Sequence, residues 1–275
     1  PLFIASTHAY LPFFTNTGQL YWPKVHEMPQ AGRAARGKPV VNCIAIKPTE
    51  QVAALVPVRE FADDKCLIFA TRQGTVKKTL LSAYGNVRTN GICAINIEKD
   101  DELIDVQVCD SNRDIVLATR DGMSIRFNEE EVRDQGRNTV GVWGIRPHKN
   151  DYVIAAAIVD PDSQLLVAGE NAIGKRTPFD EYRIQSRGGK GIITMKAGEK
   201  TGKVVGALTV READEIMLIT NKGQMIRTRV AEIREAGRNT MGVKLMDLKG
   251  NEKLQGIAPV VSAEQEEEAS GSPVE

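Results

Sequence analysis

The segment Val116-Leu117-Ala118-Thr119-Arg120-Asp121-Gly122 is an apolar run closed by polar residues and a glycine, the pattern of a strand entering a tight hairpin turn. The same pattern stands at Phe13-Phe14-Thr15-Asn16-Thr17-Gly18, Ile68-Phe69-Ala70-Thr71-Arg72-Gln73-Gly74, Leu166-Val167-Ala168-Gly169-Glu170-Asn171-Ala172 and Leu218-Ile219-Thr220-Asn221-Lys222-Gly223. Turn positions 18, 74, 122, 172 and 223 lie 56, 48, 50 and 51 residues apart, a regular period and therefore a repeat. Glycine fits there because a tight turn demands a positive φ.

Two further elements keep the same period. An arginine followed by a glycine recurs at Arg33 and Gly37, Arg88 and Gly91, Arg137 and Gly141, Arg187 and Gly191, and Arg238 and Gly242. Strand-like segments then follow at 52–58, 103–108, 153–159, 204–210 and 254–261. Each unit reads as about four short strands, with little room for helix beyond a turn near Glu129 to Val132. Four strands per unit, repeated, predict an all-β, propeller-like disc that protects sheet edges by radial repetition. The Trp-Asp signature of one propeller class and the paired glycines and aromatics of another are lacking. Five hairpins are present, and the chain opens with the strand that should precede the first, so one unit is expected to be missing at the start.

The 275 residues, 41% apolar and 26% charged, can bury a core. Lysine plus arginine (36) equals aspartate plus glutamate (36), which at face value argues against a nucleic-acid or membrane partner. Five of the acids, Glu264, Glu266, Glu267, Glu268 and Glu275, lie in the segment 262–275, which has no lysine or arginine. Residues 1–261 form the predicted repeat domain, with 36 basic residues against 31 acidic; the acidic tail is expected to be disordered, either inert or competing with anions for the basic surface. Cys43, Cys66, Cys93 and Cys109 form no C-x-x-C pair, which disfavours a disulfide framework or zinc site and suits a reducing cytosol. The longest apolar stretches fall far short of the roughly 18 residues a spanning helix needs, so a soluble protein is expected.

No catalytic constellation emerges. His8, His26 and His148 stand apart from any nucleophile motif, and the clusters Asp100-Asp101-Glu102 and Glu129-Glu130-Glu131 read as solvated turns. Gly169 to Lys175 matches the start of a phosphate-binding loop, but Arg176 stands where a serine or threonine should hold magnesium, and the segment falls in a hairpin.

Basic residues recur at two places per unit: after the hairpin turn (Lys77, Lys78, Arg126, Lys175, Arg176, Arg227, Arg229) and in or beside the arginine-glycine loop (Arg33, Arg36, Lys38, Arg88, Arg137, Arg187, Lys190, Arg238). In a radial fold equivalent positions share one level on the rim, so these cations are expected to form a belt that suits phosphates. No aromatics interleave with them, which favours duplex DNA over stacked single strands. Solvated surface charges paired with nearby acids account for the same pattern.

The chain resembles the family of DNA gyrase A C-terminal domains, the DNA-wrapping β-pinwheels, over residues 2 to about 261. The resemblance rests on 13–22, on Ala35-Arg36-Gly37-Lys38-Pro39-Val40-Val41-Asn42, on 70–79, on Gly136-Arg137-Asn138-Thr139, on Gly174-Lys175-Arg176-Thr177, on 226–230 and on Gly237-Arg238-Asn239-Thr240. It implies a six-bladed β-pinwheel whose four-stranded blades share strands, missing part of its first blade, and whose basic rim bends and wraps double-stranded DNA without sequence preference. It also implies partnership with the rest of the gyrase A protein and with the gyrase B protein, in a bacterial, cytoplasmic A2B2 holoenzyme that introduces negative supercoils. ATP and magnesium are implied for that holoenzyme, with no cofactor, metal, membrane contact or catalytic residue in this domain and a monomeric state for the domain alone. A family signature box is matched at Gln185-Ser186-Arg187-Gly188-Gly189-Lys190-Gly191, with serine in its second place and in the fourth hairpin unit rather than the first. The alternatives are the corresponding domain of topoisomerase IV and a propeller-like protein-interaction scaffold.

Overall fold

The computed structural model describes residues 9–30, 38–58, 60–86, 88 and 90–260; Arg33, Arg36 and the acidic tail lie outside them. The first hairpin, β1 (Phe13–Thr15) and β2 (Gln19–Tyr21), is followed by β3 (Val52–Leu55). The second unit supplies β4 (Lys65–Thr71), β5 (Thr75–Leu80), β6 (Ile92–Cys93) and β7 (Leu103–Asp110). The third supplies β8 (Asp114–Thr119), β9 (Met123–Asn128), β10 (Val142–Trp143) and β11 (Val153–Ile158). The fourth supplies β12 (Gln164–Gly169), β13 (Ile173–Pro178), β14 (Ile192–Ile193) and β15 (Val204–Val210). The fifth supplies β16 (Glu215–Thr220), β17 (Met225–Arg229), β18 (Val243–Lys244) and β19 (Leu254–Val260).

These strands make five antiparallel sheets, ordered β3-β1-β2-β6, β7-β4-β5-β10, β11-β8-β9-β14, β15-β12-β13-β18 and β19-β16-β17. Each unit thus gives three strands to its own sheet, and the second to fifth units each lend a short outer strand to the sheet before. Four-stranded sheets with strands shared between neighbouring units follow the expectation, and the fifth sheet has three strands. The inner strands β3, β7, β11, β15 and β19 pack in succession and line one central cavity of about 640 Å³, which makes the arrangement radial. Five sheets stand among the described residues where the resemblance implies six blades, because each sheet is built on one hairpin and the sequence holds five. The first unit's counterpart of the lent strand, Val40–Asn42, is a single 3-10 turn.

Neighbouring sheets share their cores. In β4, Leu67 and Phe69 join Phe14 and Leu20 of the first sheet, whereas Ile68 and Ala70 join Leu117 and Ile125 of the third. Val116 and Ala118 meet Leu165 and Val167 in turn, and Leu166 and Ala168 meet Leu218. Successive strand residues face opposite ways, and both faces here are covered, so the hairpin strands read as unbroken apolar runs. The helical turn expected near Glu129 recurs as single 3-10 turns at Leu81–Tyr84, Glu129–Glu131, Phe179–Glu181 and Val230–Glu232.

Gly122 fixes one junction between units. It has φ 86°, and its carbonyl accepts the N–H groups of Thr194 at 2.8 Å and Met195 at 3.2 Å. A Cβ at this position would lie against the Met195 carbonyl oxygen inside contact distance. Gly122→Ala is therefore expected to destabilise the chain by about 2 kcal/mol or more, read as a lower denaturation midpoint. Ala172, at the matching turn, takes the left-handed conformation at φ 53°, which explains how the fourth turn dispenses with glycine.

Candidate nucleic-acid interface

The arginine-glycine loops are seated on the preceding sheet by a repeated set of bonds. Gln135 N–H donates to the Lys78 carbonyl at 2.9 Å, Gln185 N–H to that of Arg126 at 2.8 Å, and Ala236 N–H to that of Arg176 at 3.0 Å. Further along each loop, the carbonyls of Thr139, Gly189 and Thr240 accept the N–H groups of Asn96, Arg146 and Lys196 at 3.0, 2.8 and 3.0 Å. The loops of the third, fourth and fifth units therefore hold one pose on successive sheets.

The two expected sets of cations separate here. Those after the hairpin turns are mostly neutralised at home. Lys78 pairs with Glu129 at 2.5 Å and Asp134 at 3.2 Å, and Arg126 pairs with Asp114 at 2.7 Å while donating to the Phe179 carbonyl at 2.7 Å. Arg176 pairs with Glu212 at 3.3 Å and donates to the Ile233 carbonyl at 2.8 Å, and Arg227 pairs with Glu215. Arg229 is exposed. Lys78, Arg126 and Arg176 tie adjacent units together, whereas Arg227 pairs within its own hairpin and stays exposed.

Lys77 and Lys175 depart furthest from the expected belt, being fully buried. On β5 and β13 they stand opposite Phe69 and Val167, on the face toward the preceding sheet, whereas Lys78 and Arg176, one residue on, face the following unit. Burial draws the Lys77 ammonium down to about 8, with the nearby Cys93 raising it and Arg137 lowering it. Burial likewise draws Lys175 down to about 8, with Glu181 raising it and Arg238 lowering it. Lys175, the residue that suggested a phosphate-binding loop, points into the protein from a β-hairpin.

The loop cations stay available. Arg187 donates its backbone N–H to the Glu131 carboxylate at 3.0 Å, while its guanidinium donates to the carbonyls of Glu131 at 2.9 Å and Trp143 at 3.3 Å. Arg238 repeats this, with backbone N–H to Glu181 at 2.8 Å and guanidinium to the Ile193 carbonyl at 3.1 Å. Neutral carbonyls orient these guanidinium groups, and neither makes an ion pair among the described residues. Arg137 is half-buried, and Lys38, Arg88 and Lys190 are exposed. Within Gln185 to Gly191, Ser186 is exposed, Gly188 donates its N–H to the Gly144 carbonyl at 2.6 Å, and Gly191 has φ 77°. The box-like motif is thus one more arginine-glycine loop.

Arg133, Arg183 and Arg234 lie outside the two recurring sets of cations. Each is exposed, and each stands four residues before the loop arginine of its unit, so the spacing of 50 and 51 residues was a sufficient signal. Trp143 corrects another expectation: 42% exposed, its ring lies 6.0 Å from the Arg146 guanidinium and its carbonyl accepts from Arg187, so an aromatic residue does reach this edge. A separation of 44 residues hid that pairing.

A family model described as DNA gyrase C-terminal domain, beta-propeller, matches residues 10–59, 67–110, 113–160, 163–211 and 214–260, one match per hairpin unit. The DNA gyrase A protein of Clostridium acetobutylicum is 48% identical over 259 residues, 94% of this chain and 31% of that protein. Its Escherichia coli counterpart is 40% identical over 267 residues, 97% of this chain and 30% of that protein. The chain therefore spans about a third of the length of these relatives. A solved DNA gyrase A C-terminal domain superposes with TM-score 0.82 at 24% identity, covering 94% of this chain and 84% of that one. The C-terminal domain of a DNA topoisomerase IV gives TM-score 0.82 at 27% identity, covering 96% and 83%. The five matched segments follow the repeat period and the superpositions extend over nearly the whole set of sheets, and the chain belongs to the DNA gyrase C-terminal domain family.

Proposed function

We propose that this chain binds double-stranded DNA without sequence preference and bends it around its outer edge. It would serve as the wrapping domain of a gyrase A protein, within a holoenzyme that introduces negative supercoils using ATP. The observation that supports this reading most is the loop set: three successive units carry paired arginines, 133 and 137, 183 and 187, 234 and 238, and the last two loop guanidinium groups are held by carbonyls rather than carboxylates. Such groups can each neutralise a phosphate, and a curved row of them favours a bent duplex over a straight one. Duplex cleavage, ATP turnover and magnesium belong, on this reading, to the remainder of the gyrase A protein and to the gyrase B protein. A sixth blade would complete the ring in the longer protein, which fits a fifth sheet of three strands where the other four have four. Bacterial cytoplasm follows from the same reading.

Fluorescence anisotropy with a labelled duplex of mixed sequence tests it. Affinity is expected to fall steeply with salt, with a log-log slope of about −0.9 per phosphate contact, and to be nearly equal for unrelated sequences. A flat salt response would reject DNA binding in favour of a protein-interaction scaffold.

A further inference from the structure

Lys77 and Lys175 are a costly way to fill a buried position. The third sheet puts Ile125 at the same place, paired across its hairpin with Leu117 as Lys77 is with Phe69 and Lys175 with Val167, and the fifth puts Ile226 there. The fold thus accepts an apolar side chain at this site, and two of its units nevertheless bury an ammonium group. Unless strongly compensated, such a group destabilises the protein.

The compensation comes from the loop lying above and, for Lys77, also from the residue after β6. Lys77 Nζ donates to the carbonyls of Ala94 and Arg137, both at 2.7 Å. Lys175 Nζ donates to the carbonyls of Gly237 and Arg238, both at 2.6 Å, and to Thr240 Oγ1 at 3.1 Å. The loops over the two lysines have the same sequence, Gly136-Arg137-Asn138-Thr139 and Gly237-Arg238-Asn239-Thr240; the loop over Ile125 reads Ser186-Arg187-Gly188-Gly189. In both lysine-held loops the threonine hydroxyl donates to the glycine carbonyl, at 2.8 and 2.7 Å. The chain therefore contains two loop types, and lysine accompanies one of them.

A trans peptide points its C=O and the following N–H in opposite directions. Drawing the Arg137 and Arg238 carbonyls inward turns the N–H groups of Asn138 and Asn239 outward. Both asparagines are exposed, and neither backbone N–H has a protein acceptor among the described residues. An outward N–H beside an arginine is a donor for a phosphodiester oxygen.

We propose that Lys77 and Lys175 are positioning residues of the DNA interface, each turning one loop peptide so that the N–H of Asn138 or Asn239 meets a backbone phosphate. This rests on the duplex-binding reading. The buried ammonium groups also add positive charge beneath the same loops, and the unit over Ile125 meets DNA through arginine, lysine and glycine without this donor.

Lys77→Ile with Lys175→Ile tests it, isoleucine being what the same site already holds twice. Duplex affinity is expected to fall about tenfold or more, the equivalent of about 1.4 kcal/mol. In amide NMR spectra of the parent chain, adding duplex should shift the Asn138 and Asn239 signals; in the variant those shifts should be lost, while Gly188 and Gly189, over Ile125, respond as before. If the variant does not fold, the parent titration alone decides. Should Arg137→Ala with Arg238→Ala weaken binding while neither asparagine amide moves, the positioning role is wrong and the DNA reading stands. Unchanged affinity in that arginine pair, together with a flat salt response, overturns both.

Discussion

Replacing Arg133, Arg137, Arg183, Arg187, Arg234 and Arg238 with alanine is expected to reduce duplex affinity by at least about a thousandfold at moderate salt and to make the log-log salt slope shallower by about 5. The size follows from counting: each arginine that neutralises a phosphate contributes about 0.9 to the slope, through release of a condensed counterion. The fold should survive, because none of the six guanidinium groups has a carboxylate partner among the described residues, so no buried acid is orphaned. Neutralising Lys78, Arg126, Arg176 and Arg227 should give the opposite result. Lys78 and Arg126 pair with largely buried acids and Arg176 is held by the Ile233 carbonyl, so their removal strands a carboxylate or a carbonyl and lowers stability, whereas the exposed Arg227–Glu215 pair adds little; in all four the salt slope barely changes. Anisotropy at several salt concentrations, with circular dichroism as the check on folding, separates the two sets. A six-arginine variant whose slope changes by less than about 2 would put the DNA on another face.

Phe69→Ala is expected to cost about 3–5 kcal/mol, the largest stability loss from a single substitution considered for this chain. The ring is fully buried in β4, packs edge-on against Phe14 with centroids 5.6 Å apart, and lies 6.0 Å from Tyr84. Phe14 belongs to the first sheet and Phe69 to the second, so the lost contact is a junction between units. The Lys77 ammonium also lies 5.2 Å from this ring, and truncation removes part of what compensates that buried charge. In a repeat fold each unit contacts only its neighbours, so the damage should stay local. Hydrogen exchange should show β1, β4 and β5 losing protection while β16 and β19 keep theirs. Uniform loss of protection along the chain would mean that the ring unfolds as one cooperative body.

Much of the architecture can be read without coordinates. The hairpin runs are legible because both faces of each strand are covered by neighbouring sheets, which leaves apolar stretches bounded by turn residues, and the turn glycines mark the period. The lent outer strands are not legible. Ile92–Cys93, Val142–Trp143, Ile192–Ile193 and Val243–Lys244 are two residues long, too short to show alternation, and their partners lie in the preceding unit.

The candidate interface divides along the same line. A count of cations by period finds Arg137, Arg187 and Arg238, and applied one step further it finds Arg133, Arg183 and Arg234. It cannot tell Lys77 from Lys78, because adjacent strand residues carry the same charge and the same spacing while facing opposite sides. The repeat, the all-β class and the recurrence of arginine every 50 residues or so were determined by the sequence alone, since they depend on local turn chemistry and residue order. Which cations reach solvent was decided by the tertiary structure, because carbonyls and carboxylates brought together by folding, from the facing hairpin strand and from the next unit, determine whether a charge is consumed inside the protein or left free for a phosphate.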